Sequence, residues 1–298
     1  MQMNICQFPV SFIKTRCWCI PLLPVLLLVN GLAFATDQEL NRPKIGLALS
    51  GGGARGAAHV GVLKVIEELQ IPVDYIAGTS MGAVIGGLYA SGMSSEEIEQ
   101  QFNTINWTTV FKDKPERPER SQRRKSDDRL YLVEAKIGVN DAGLHLPKSA
   151  IEGQKFNFIL KSLTLPVAEV TDFDKLPIPF RAVAMDIASG DEVVLGKGDL
   201  ATAMQASMAI PAVFSPVHLN DKILVDGGGA NNLPISVVRS MGADIVIAID
   251  ISAPLFEQGD LNDPLNVIIQ LTGLLTRRNV ERQLQTRNEN DGLIIPAL

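Results

Sequence analysis

The chain has 298 residues, of which 46% are hydrophobic, and its formal net charge is −6 at pH 7. This length and composition suffice for one large domain or two small ones with a sizeable core. The acidic balance argues against a nucleic-acid-binding protein, and against a protein that bulk charge holds on anionic lipid.

The first 35 residues have the pattern of a secretory signal peptide. Lys14 and Arg16 precede an apolar run at 17–32, and a small-x-small ending follows at 33–35. The alternative is a membrane anchor, which the shortness of the run and its two prolines disfavour. We therefore expect residues 1–35 to be a signal peptide and 36–298 to be the mature domain. The protein is then exported to the periplasm, the outer membrane or the medium of a Gram-negative bacterium.

The cysteines agree with an exported chain. Cys6, Cys17 and Cys19 all lie in the signal segment, so the mature chain needs neither disulfides nor thiol chemistry. Loss of Lys14 and Arg16 leaves 25 of the 27 basic residues against 33 acidic ones, a net charge of −8. The mature domain is thus more acidic than the whole chain.

After the signal peptide, short apolar strand candidates alternate with helix candidates. We predict strands at 44–49, 73–77, 131–137, 180–186, 193–195, 217–219, 222–225, 245–249 and 293–295. We predict helices at 54–69, 81–90, 153–163, 200–208, 233–241 and 264–285, and one more that a Ser94–Glu97 capping box opens. This alternation predicts an α/β fold, namely a three-layer α/β/α domain around a central, mostly parallel sheet.

Three segments leave alternatives open. The charged stretch 112–128 is interpreted as a solvated loop in preference to a surface that meets lipid phosphates. The helix at 264–285 is interpreted as closing the core in preference to docking on a membrane with its apolar side. The chain stops just after an apolar strand candidate, which leaves open a domain truncated at its C-terminus.

The first glycine-bearing turn is GGGARG, at residues 51–56. It matches the dinucleotide fingerprint G-x-G-x-x-G between a strand and a helix. That hypothesis requires an acidic residue at the far end of the second strand, whereas Asp74 lies at the start of it. The alternative is a loop whose backbone N–H groups stabilise a charge that develops during a reaction.

The second turn is GTSMG, at residues 78–82. A G-x-S-x-G pattern between an apolar strand and a helix is typical of a nucleophile elbow, in which the turn exposes the serine. The helix N-terminus adds partial positive charge beneath the reacting group. The alternative is an ordinary helix N-cap, a position that serine also favours. The strand–turn–helix setting favours Ser80 as the nucleophile.

The third turn is Asp226-Gly227-Gly228, directly after the strand candidate at 222–225. Taken alone it is an ordinary turn, because Asp and Gly are common there. All three turns, however, lie beyond apolar strand candidates, where open α/β sheets gather their ligand sites. We therefore expect the three turns to meet.

A serine nucleophile needs a base. We expect His59 to be a hydrogen-bonded core residue, His145 to lie in a loop and His218 to point to solvent. A Ser80–His218 pair is weakly supported, and a two-residue arrangement of Ser80 and Asp226 remains. An exposed carboxylate with a pKa of ~3.9 is a poor base for an alcohol, but burial raises that pKa.

The glycine-rich turn supplies the oxyanion hole in this hypothesis. When Ser80 attacks an ester carbonyl, N–H groups near Gly52 and Gly53 stabilise the negative oxygen. Arg55 assists electrostatically or holds the loop; the alternative is a surface residue. Metal-ligand spacing is absent from the sequence, so we predict neither a metal nor another cofactor.

At these motifs the chain resembles the patatin-like phospholipases. That family has G-G-G-x-R-G, then G-x-S-x-G, then D-G-G or D-G-A, and this chain carries GGGARG, GTSMG and DGG in the same order. The stretches ASMAIPAVFSPV, at 206–217, and NLPISVVRSMGADIVIAID, at 232–250, are also similar to the family. The resemblance runs from about residue 43 to residue 250. With its export signal, the chain is similar to exported patatin-like autotransporter passengers.

The resemblance implies a three-layer α/β/α fold and a Ser–Asp dyad that hydrolyses acyl esters of lipids through an acyl-enzyme. By position, Ser80 is the nucleophile and Asp226 the base. The implied oxyanion residues are Gly51, Gly52, Gly53 and Arg55. The remaining motif glycines are Gly56, Gly78, Gly82, Gly227 and Gly228.

The implied partners are a phospholipid or other acyl-ester lipid and, transiently, a membrane surface. The head group, the position of the cleaved ester and the oligomeric state stay open. Two other classes of function remain as alternatives, a non-catalytic exported lipid-binding passenger and a nucleotide-binding module.

Overall fold

The computed structural model describes residues 42–297, apart from 111–117, 119, 124, 127–137, 141, 142, 146–151 and 212. The strands are β1 Ile45–Leu49, β2 Tyr75–Thr79, β3 Gly138–Asn140, β4 Gly143–His145, β5 Phe180–Asp186, β6 Glu192–Leu195, β7 Val217–Leu219, β8 Lys222–Asp226, β9 Ile245–Ile249 and β10 Gly292–Ile294. The helices used below are α1 Ala57–Glu68, α2 Met81–Ala90, α3 Ser95–Thr104, α4 Trp107–Val110, α5 Gln154–Leu163, α6 Leu200–Ser207, α7 Ile235–Ser240 and α8 Pro264–Leu284.

The main sheet is mixed, with a parallel centre. Its strand order is β10-β9-β1-β2-β5-β8-β7, and β6 also pairs with β5. The strands from β10 to β5 are parallel, whereas β6 and β8 pair antiparallel with opposite edges of β5, and β7 pairs antiparallel with β8. The predicted central parallel sheet is therefore confirmed. Strands β3 and β4 form a separate antiparallel pair.

Side chains of the sheet alternate between two cores. Along β1, Leu47 and Leu49 belong to one core and Ala48 to the other, as the twofold period of a strand requires. Helices α1, α2, α3, α5 and α6 supply buried residues to the first core, while α7 and α8 supply them to the second. Both faces of the sheet are thus covered, and the predicted three-layer α/β/α fold is confirmed.

Several predicted bounds shift. Strand β2 begins two residues later than expected and ends at Thr79, so the first half of the GTSMG motif is strand. The helix expected at 54–69 divides into a 3₁₀ turn at Gly53–Gly56 and α1. His145 lies in a short strand, not in a loop, because its backbone pairs with Gly138. The strand expected at 131–137 lies outside the described residues, and so does most of the charged segment 112–128.

Helix α8 divides into two parts. Near its C-terminal end, Asn279 and Val280 are 2% and 6% exposed, and Val280 belongs to the second core. An apolar stripe is instead 39–57% exposed and consists of Val267, Ile268, Leu271, Leu274 and Leu275. The expectation that this helix closes the core is right for the first group and wrong for the stripe. Within the described part of the chain, no helix has both the length and the apolar character needed to cross a bilayer.

Candidate active site

Ser80 lies in the turn between β2 and α2, in a strained backbone conformation. Its φ of 54° and ψ of −123° fall where residues with a side chain rarely occur. The Ser80 carbonyl accepts a hydrogen bond from the N–H of Ala83 at 2.9 Å. The Ser80 N–H donates to the Ser207 Oγ at 2.8 Å, and that hydroxyl donates to the Val183 carbonyl at 2.5 Å. Helix α6 and strand β5 thus hold the turn from outside.

The glycines on either side of Ser80 are required by close packing. A Cβ on Gly78 would lie 2.3 Å from the Gly82 carbonyl oxygen, and a Cβ on Gly82 would lie 2.3 Å from the Leu49 carbonyl oxygen. The first turn of α2 therefore passes against the end of β1, at a distance that leaves room only for hydrogen. The G-x-S-x-G spacing is a steric requirement of this crossing.

Asp226 lies beside Ser80 at the end of β8, a strand that runs antiparallel to β2 and β5. Strand β5 pairs with β2 only as far as Val183, opposite Thr79, and then extends to Asp186. Strand β8 pairs antiparallel with this extension and places Asp226 opposite Ala184. Strand β8 thus runs antiparallel to β5, whereas β1 and β2, which lead to the first two turns, run parallel to it. The overhang of β5 is what brings Asp226 to the site.

The two predicted catalytic side chains are in contact. The Ser80 Oγ donates to the Asp226 Oδ2 at 2.6 Å, and the Gly228 N–H donates to the Asp226 Oδ1 at 2.7 Å. Asp226 is 6% exposed. Burial raises the pKa of its carboxyl from 3.8 to about 6, against the lowering effect of the two hydrogen bonds. A carboxylate with this pKa can accept a hydroxyl proton at neutral pH far better than an exposed one.

The histidines lie elsewhere. His59 is fully buried, and its Nε2 donates to the Ser50 carbonyl at 2.8 Å, as expected of a hydrogen-bonded core residue. Burial lowers the pKa of His59 to about 4, so its ring is neutral at neutral pH. His218 is exposed on β7, also as expected. The hydroxyl of Ser80 is engaged by Asp226, so the geometry disfavours the Ser80–His218 pair.

The glycine-rich loop runs beside Ser80. A Cβ on Gly51 would lie 2.9 Å from the Ser80 Cβ. The Gly51 N–H donates to the Asn232 carbonyl at 3.3 Å, so it is not directed at a substrate. For the N–H groups of Gly52 and Gly53, none of the described residues provides an acceptor. These two amides are therefore available to donate to a ligand.

Arg55 and Gly56 end the loop. The Arg55 Nε is buried and has no hydrogen-bond partner among the described residues. A Cβ on Gly56 would lie 1.9 Å from the Cγ of Met81, the first residue of α2. The loop is thus packed directly against the helix that follows Ser80.

A cleft of about 490 Å³ opens at Ser80. Gly53 of the loop lines it, and most of the other lining side chains are apolar: Met81, Phe102, Trp107, Met208, Ile210 and Phe214. The rings of Phe102 and Trp107 lie 5.1 Å apart between centroids. An apolar cleft with a few convergent polar groups is the usual form of a site for a small or chain-like apolar ligand.

Other ligand types find less support in the geometry. Asp74 accepts from the Ile45 N–H at 2.8 Å, at the end of β1 opposite the glycine loop. It therefore cannot hold the ribose of a nucleotide bound at that loop. In the ranges that the structure describes, no three His, Cys, Asp or Glu side chains are grouped to hold a metal ion.

Four polar residues around the site were not predicted from the sequence to have a role. Ser207 and Asn232 lie in the two stretches that resemble the family, which was the available signal. The Asn232 Nδ2 donates to the Gly51 carbonyl at 3.2 Å and to the Ser252 Oγ at 3.0 Å. Thr276 and Asn279 lie on α8, where the sequence pattern carries no sign of a site.

Comparison with known proteins places this arrangement in context. A family model described as patatin-like phospholipase matches residues 47–239. An uncharacterized NTE family protein of Mycobacterium tuberculosis is 30% identical over 253 residues, which cover 82% of this chain and 61% of that protein. Human patatin-like phospholipase domain-containing protein 6 is 33% identical over 211 residues, which cover 70% of this chain and 13% of that protein.

The chain thus spans about three fifths of the mycobacterial relative's length and a small part of the human one. Among solved structures, VipD from Legionella pneumophila aligns with a TM-score of 0.44 at 16% identity, over 77% of this chain and 52% of that one.

Proposed function

Because the chain belongs to the patatin-like phospholipase family, we propose that it is a serine-dependent lipid acyl hydrolase. It cleaves fatty-acyl esters of phospholipids or related lipids, as a phospholipase of the A type does. The observation that carries the proposal is the 2.6 Å hydrogen bond from the Ser80 Oγ to the Asp226 Oδ2. A buried hydroxyl and a buried carboxylate in contact form a nucleophile and its base.

In the first half of the proposed reaction, Ser80 is acylated. The Ser80 Oγ attacks the ester carbonyl carbon while Asp226 takes the hydroxyl proton. The tetrahedral intermediate then collapses: the bond to the alcohol breaks, Asp226 returns the proton to the leaving alkoxide, and an acyl-enzyme remains. The raised pKa of Asp226 suits both proton transfers, because it lies near neutral pH.

Charge on the intermediate is stabilised by the glycine loop. The N–H groups of Gly52 and Gly53 donate to the oxyanion, and the N-terminus of α2 adds partial positive charge below Ser80. Arg55 assists electrostatically. Gly51 does not donate to the oxyanion, because its N–H is bound to the Asn232 carbonyl. Its lack of a side chain lets the loop lie against Ser80.

In the second half, water hydrolyses the acyl-enzyme. Asp226 takes a proton from the water, whose oxygen attacks the acyl carbon, and the Ser80 oxygen leaves and recovers the proton. The products are a fatty acid and the free enzyme. The apolar cleft at Ser80 holds the acyl chain during both halves, since burial of methylene groups stabilises its binding.

The substrate is reached by transient contact with a membrane surface. On α8, the exposed apolar stripe continues at helical spacing into the exposed residues Arg278 and Arg282. An apolar stripe followed by cations suits an interface of acyl chains and phosphates. We expect Leu271→Glu to weaken co-sedimentation with anionic phospholipid vesicles. Val65→Glu places the same charge at a similarly exposed site on α1, 51% against 57%, and should leave binding unchanged.

Residues 1–35 export the protein in this proposal. Expression of the full chain in a Gram-negative host should yield a periplasmic or secreted product whose N-terminal sequencing begins at Thr36. Recovery of the uncleaved chain from the cytoplasm would contradict export.

The central experiment assays the purified mature chain on a panel of phospholipids and acylglycerols. We expect Ser80→Ala to lower turnover by about 10³-fold or more while the circular dichroism spectrum is preserved. A fluorophosphonate ester mimic should label the wild-type chain and not the variant. Turnover that persists in Ser80→Ala would refute the proposed chemistry.

Fluorophosphonate labelling, vesicle binding and calorimetry separate the alternative functions. A non-catalytic lipid-binding passenger would bind vesicles regardless of Ser80 and would resist the fluorophosphonate. A nucleotide-binding module would release heat on calorimetric titration with a dinucleotide. The position of Asp74, away from the glycine loop, speaks against the latter.

A further inference from the structure

A buried amide on α8 joins the two loops of the site. Asn279 is 2% exposed, and it lies outside the matched family range of 47–239. Its Oδ1 accepts from the Asn232 N–H at 2.8 Å, and its Nδ2 donates to the Gly228 carbonyl at 2.8 Å. One side chain thus contacts the supports of both the glycine loop and the turn that carries Asp226.

The hydrogen bond between Asn279 and Asn232 connects α8 to the glycine loop. Asn232 accepts from the Gly51 N–H through its carbonyl and donates to the Gly51 carbonyl through its Nδ2, at 3.3 and 3.2 Å. Both polar groups of Gly51 are therefore held by one residue, whose own backbone is held by Asn279. Gly51 directly precedes Gly52 and Gly53, so these hydrogen bonds set where the free N–H groups of Gly52 and Gly53 lie.

The hydrogen bond from Asn279 to the Gly228 carbonyl connects α8 to the turn that carries Asp226. The Gly228 carbonyl accepts from Asn279 and also from the Thr276 Oγ1, at 2.8 Å each. The N–H of the same residue donates to the Asp226 Oδ1. Two side chains, one turn of α8 apart, therefore hold the residue that orients the carboxylate.

The bonding partners assign the amide orientation. A backbone N–H on one side requires the oxygen, and a carbonyl on the other side requires the nitrogen. Aspartate would place an oxygen against the Gly228 carbonyl, and leucine would leave the Asn232 N–H without its acceptor and the Gly228 carbonyl with the Thr276 donor alone. Neither acid nor hydrocarbon can replace the amide here.

We propose that Asn279 is a positioning residue that holds the oxyanion loop and the base turn in register around Ser80. The inference rests on the proposed acyl-hydrolase function, because it assigns Asn279 a part in that reaction. Asn279 does not line the cleft, so its loss should affect the chemical steps and leave substrate binding alone. It should also change the pH dependence, since the hydrogen bond from Gly228 favours the ionised form of Asp226.

The test compares three variants in ester hydrolysis. For Asn279→Ala we expect kcat to fall about tenfold or more with little change in KM, because a small misplacement of catalytic groups is costly. The acidic limb of the pH–rate profile should move to higher pH. Thr276→Val removes only the second donor to Gly228 and should move the same limb by a smaller amount.

Val280→Ala is the matched control. It removes buried methyl groups one residue along the same helix and should lower the Tm without touching the network. If Asn279→Ala keeps the wild-type kcat and pH profile, or loses no more activity than Val280→Ala does, the inference is wrong. If Asn279→Ala does not fold, an unchanged pH profile in Thr276→Val overturns it. Failure of the proposed function gives a different result, namely no Ser80-dependent turnover in the wild-type chain.

Discussion

The turn that carries Ser80, residues 78–82, and the turn that carries Asp226, residues 226–228, meet at one hydrogen bond but are held in different ways. Backbone packing restricts both turns, since a Cβ on Gly82 would lie 2.3 Å from the Leu49 carbonyl oxygen and a Cβ on Gly227 would lie 2.2 Å from the Val183 carbonyl oxygen. The base turn is held by side chains of α8, about fifty residues farther along the chain. The difference lies in the distant supports: the nucleophile turn has Ser207, which accepts from the Ser80 N–H, whereas the base turn has two side chains of α8, which donate to the Gly228 carbonyl.

The largest effect should come from the base itself. Asp226→Asn keeps the shape of the turn but removes the proton acceptor, so we expect kcat to fall by about 10²–10⁴-fold. Ester hydrolysis by the purified variant measures this. The control is Asp186→Asn, which neutralises a carboxyl on β5 that is 9% exposed, and it should retain activity. Equal losses in the two variants would mean that Asp226 has no special role.

Alanine at Gly82 and at Gly228 compares a glycine packed against backbone with a glycine packed against side chains. In Gly82→Ala the new methyl group would lie 2.3 Å from a backbone oxygen, and we expect a loss of about 3 kcal/mol in the free energy of unfolding. In Gly228→Ala the nearest atoms are side-chain oxygens at 3.0 and 3.1 Å, which can move slightly. That variant should fold with a smaller loss and with reduced kcat. Urea unfolding of both proteins checks the order, and a reversed order would mean that contact with backbone at Gly82 is no more restrictive than contact with side chains at Gly228.

The pH dependence of stability tests the burial of Asp226. Because its folded pKa is raised from 3.8 to about 6, the native state binds a proton more tightly than the unfolded chain. The stability that the protonated carboxyl contributes is present below the unfolded pKa and is lost as the pH rises through the folded one. Asp226→Asn does not titrate there. Between pH 4 and pH 7 the free energy of unfolding of the variant should therefore rise relative to that of the wild type by roughly 2 kcal/mol. A constant difference across that range would contradict the raised pKa.

The smallest effect concerns the outside support of the nucleophile turn. Ser207→Ala leaves the buried Ser80 N–H without its acceptor, and we expect a destabilisation of about 1–3 kcal/mol together with reduced kcat. Thermal unfolding and ester hydrolysis measure the two effects. Ser240→Ala removes a hydroxyl bound within α7, far along the chain from the turn, and serves as the control. Equal kcat values in the two variants would show that Ser207 does not position Ser80.

The sequence predicted much of the fold, because its signals are local. The capping box at Ser94 forms as expected, with the Glu97 carboxylate accepting from the Ser94 N–H at 2.8 Å. Likewise, the strands predicted at 217–219 and 222–225 are present as a hairpin, and both residues of the turn between them have positive φ. The pairing of β8 with β5 was not predicted, because a run such as KILVD does not indicate its partner in the sheet.

Resemblance to the patatin-like phospholipases indicated Ser80 and Asp226 as the pair that carries the proposed chemistry. By itself the sequence determined the strand–turn–helix units and the glycine spacing. These follow from periodicity and from steric limits that act over a few residues. The tertiary structure alone decided that β5 overhangs β2, that Asp226 is buried enough for its pKa to rise, and that Asn279 bridges the two loops. Such features depend on which distant segments pack together, and packing of that kind leaves no periodic trace along the chain.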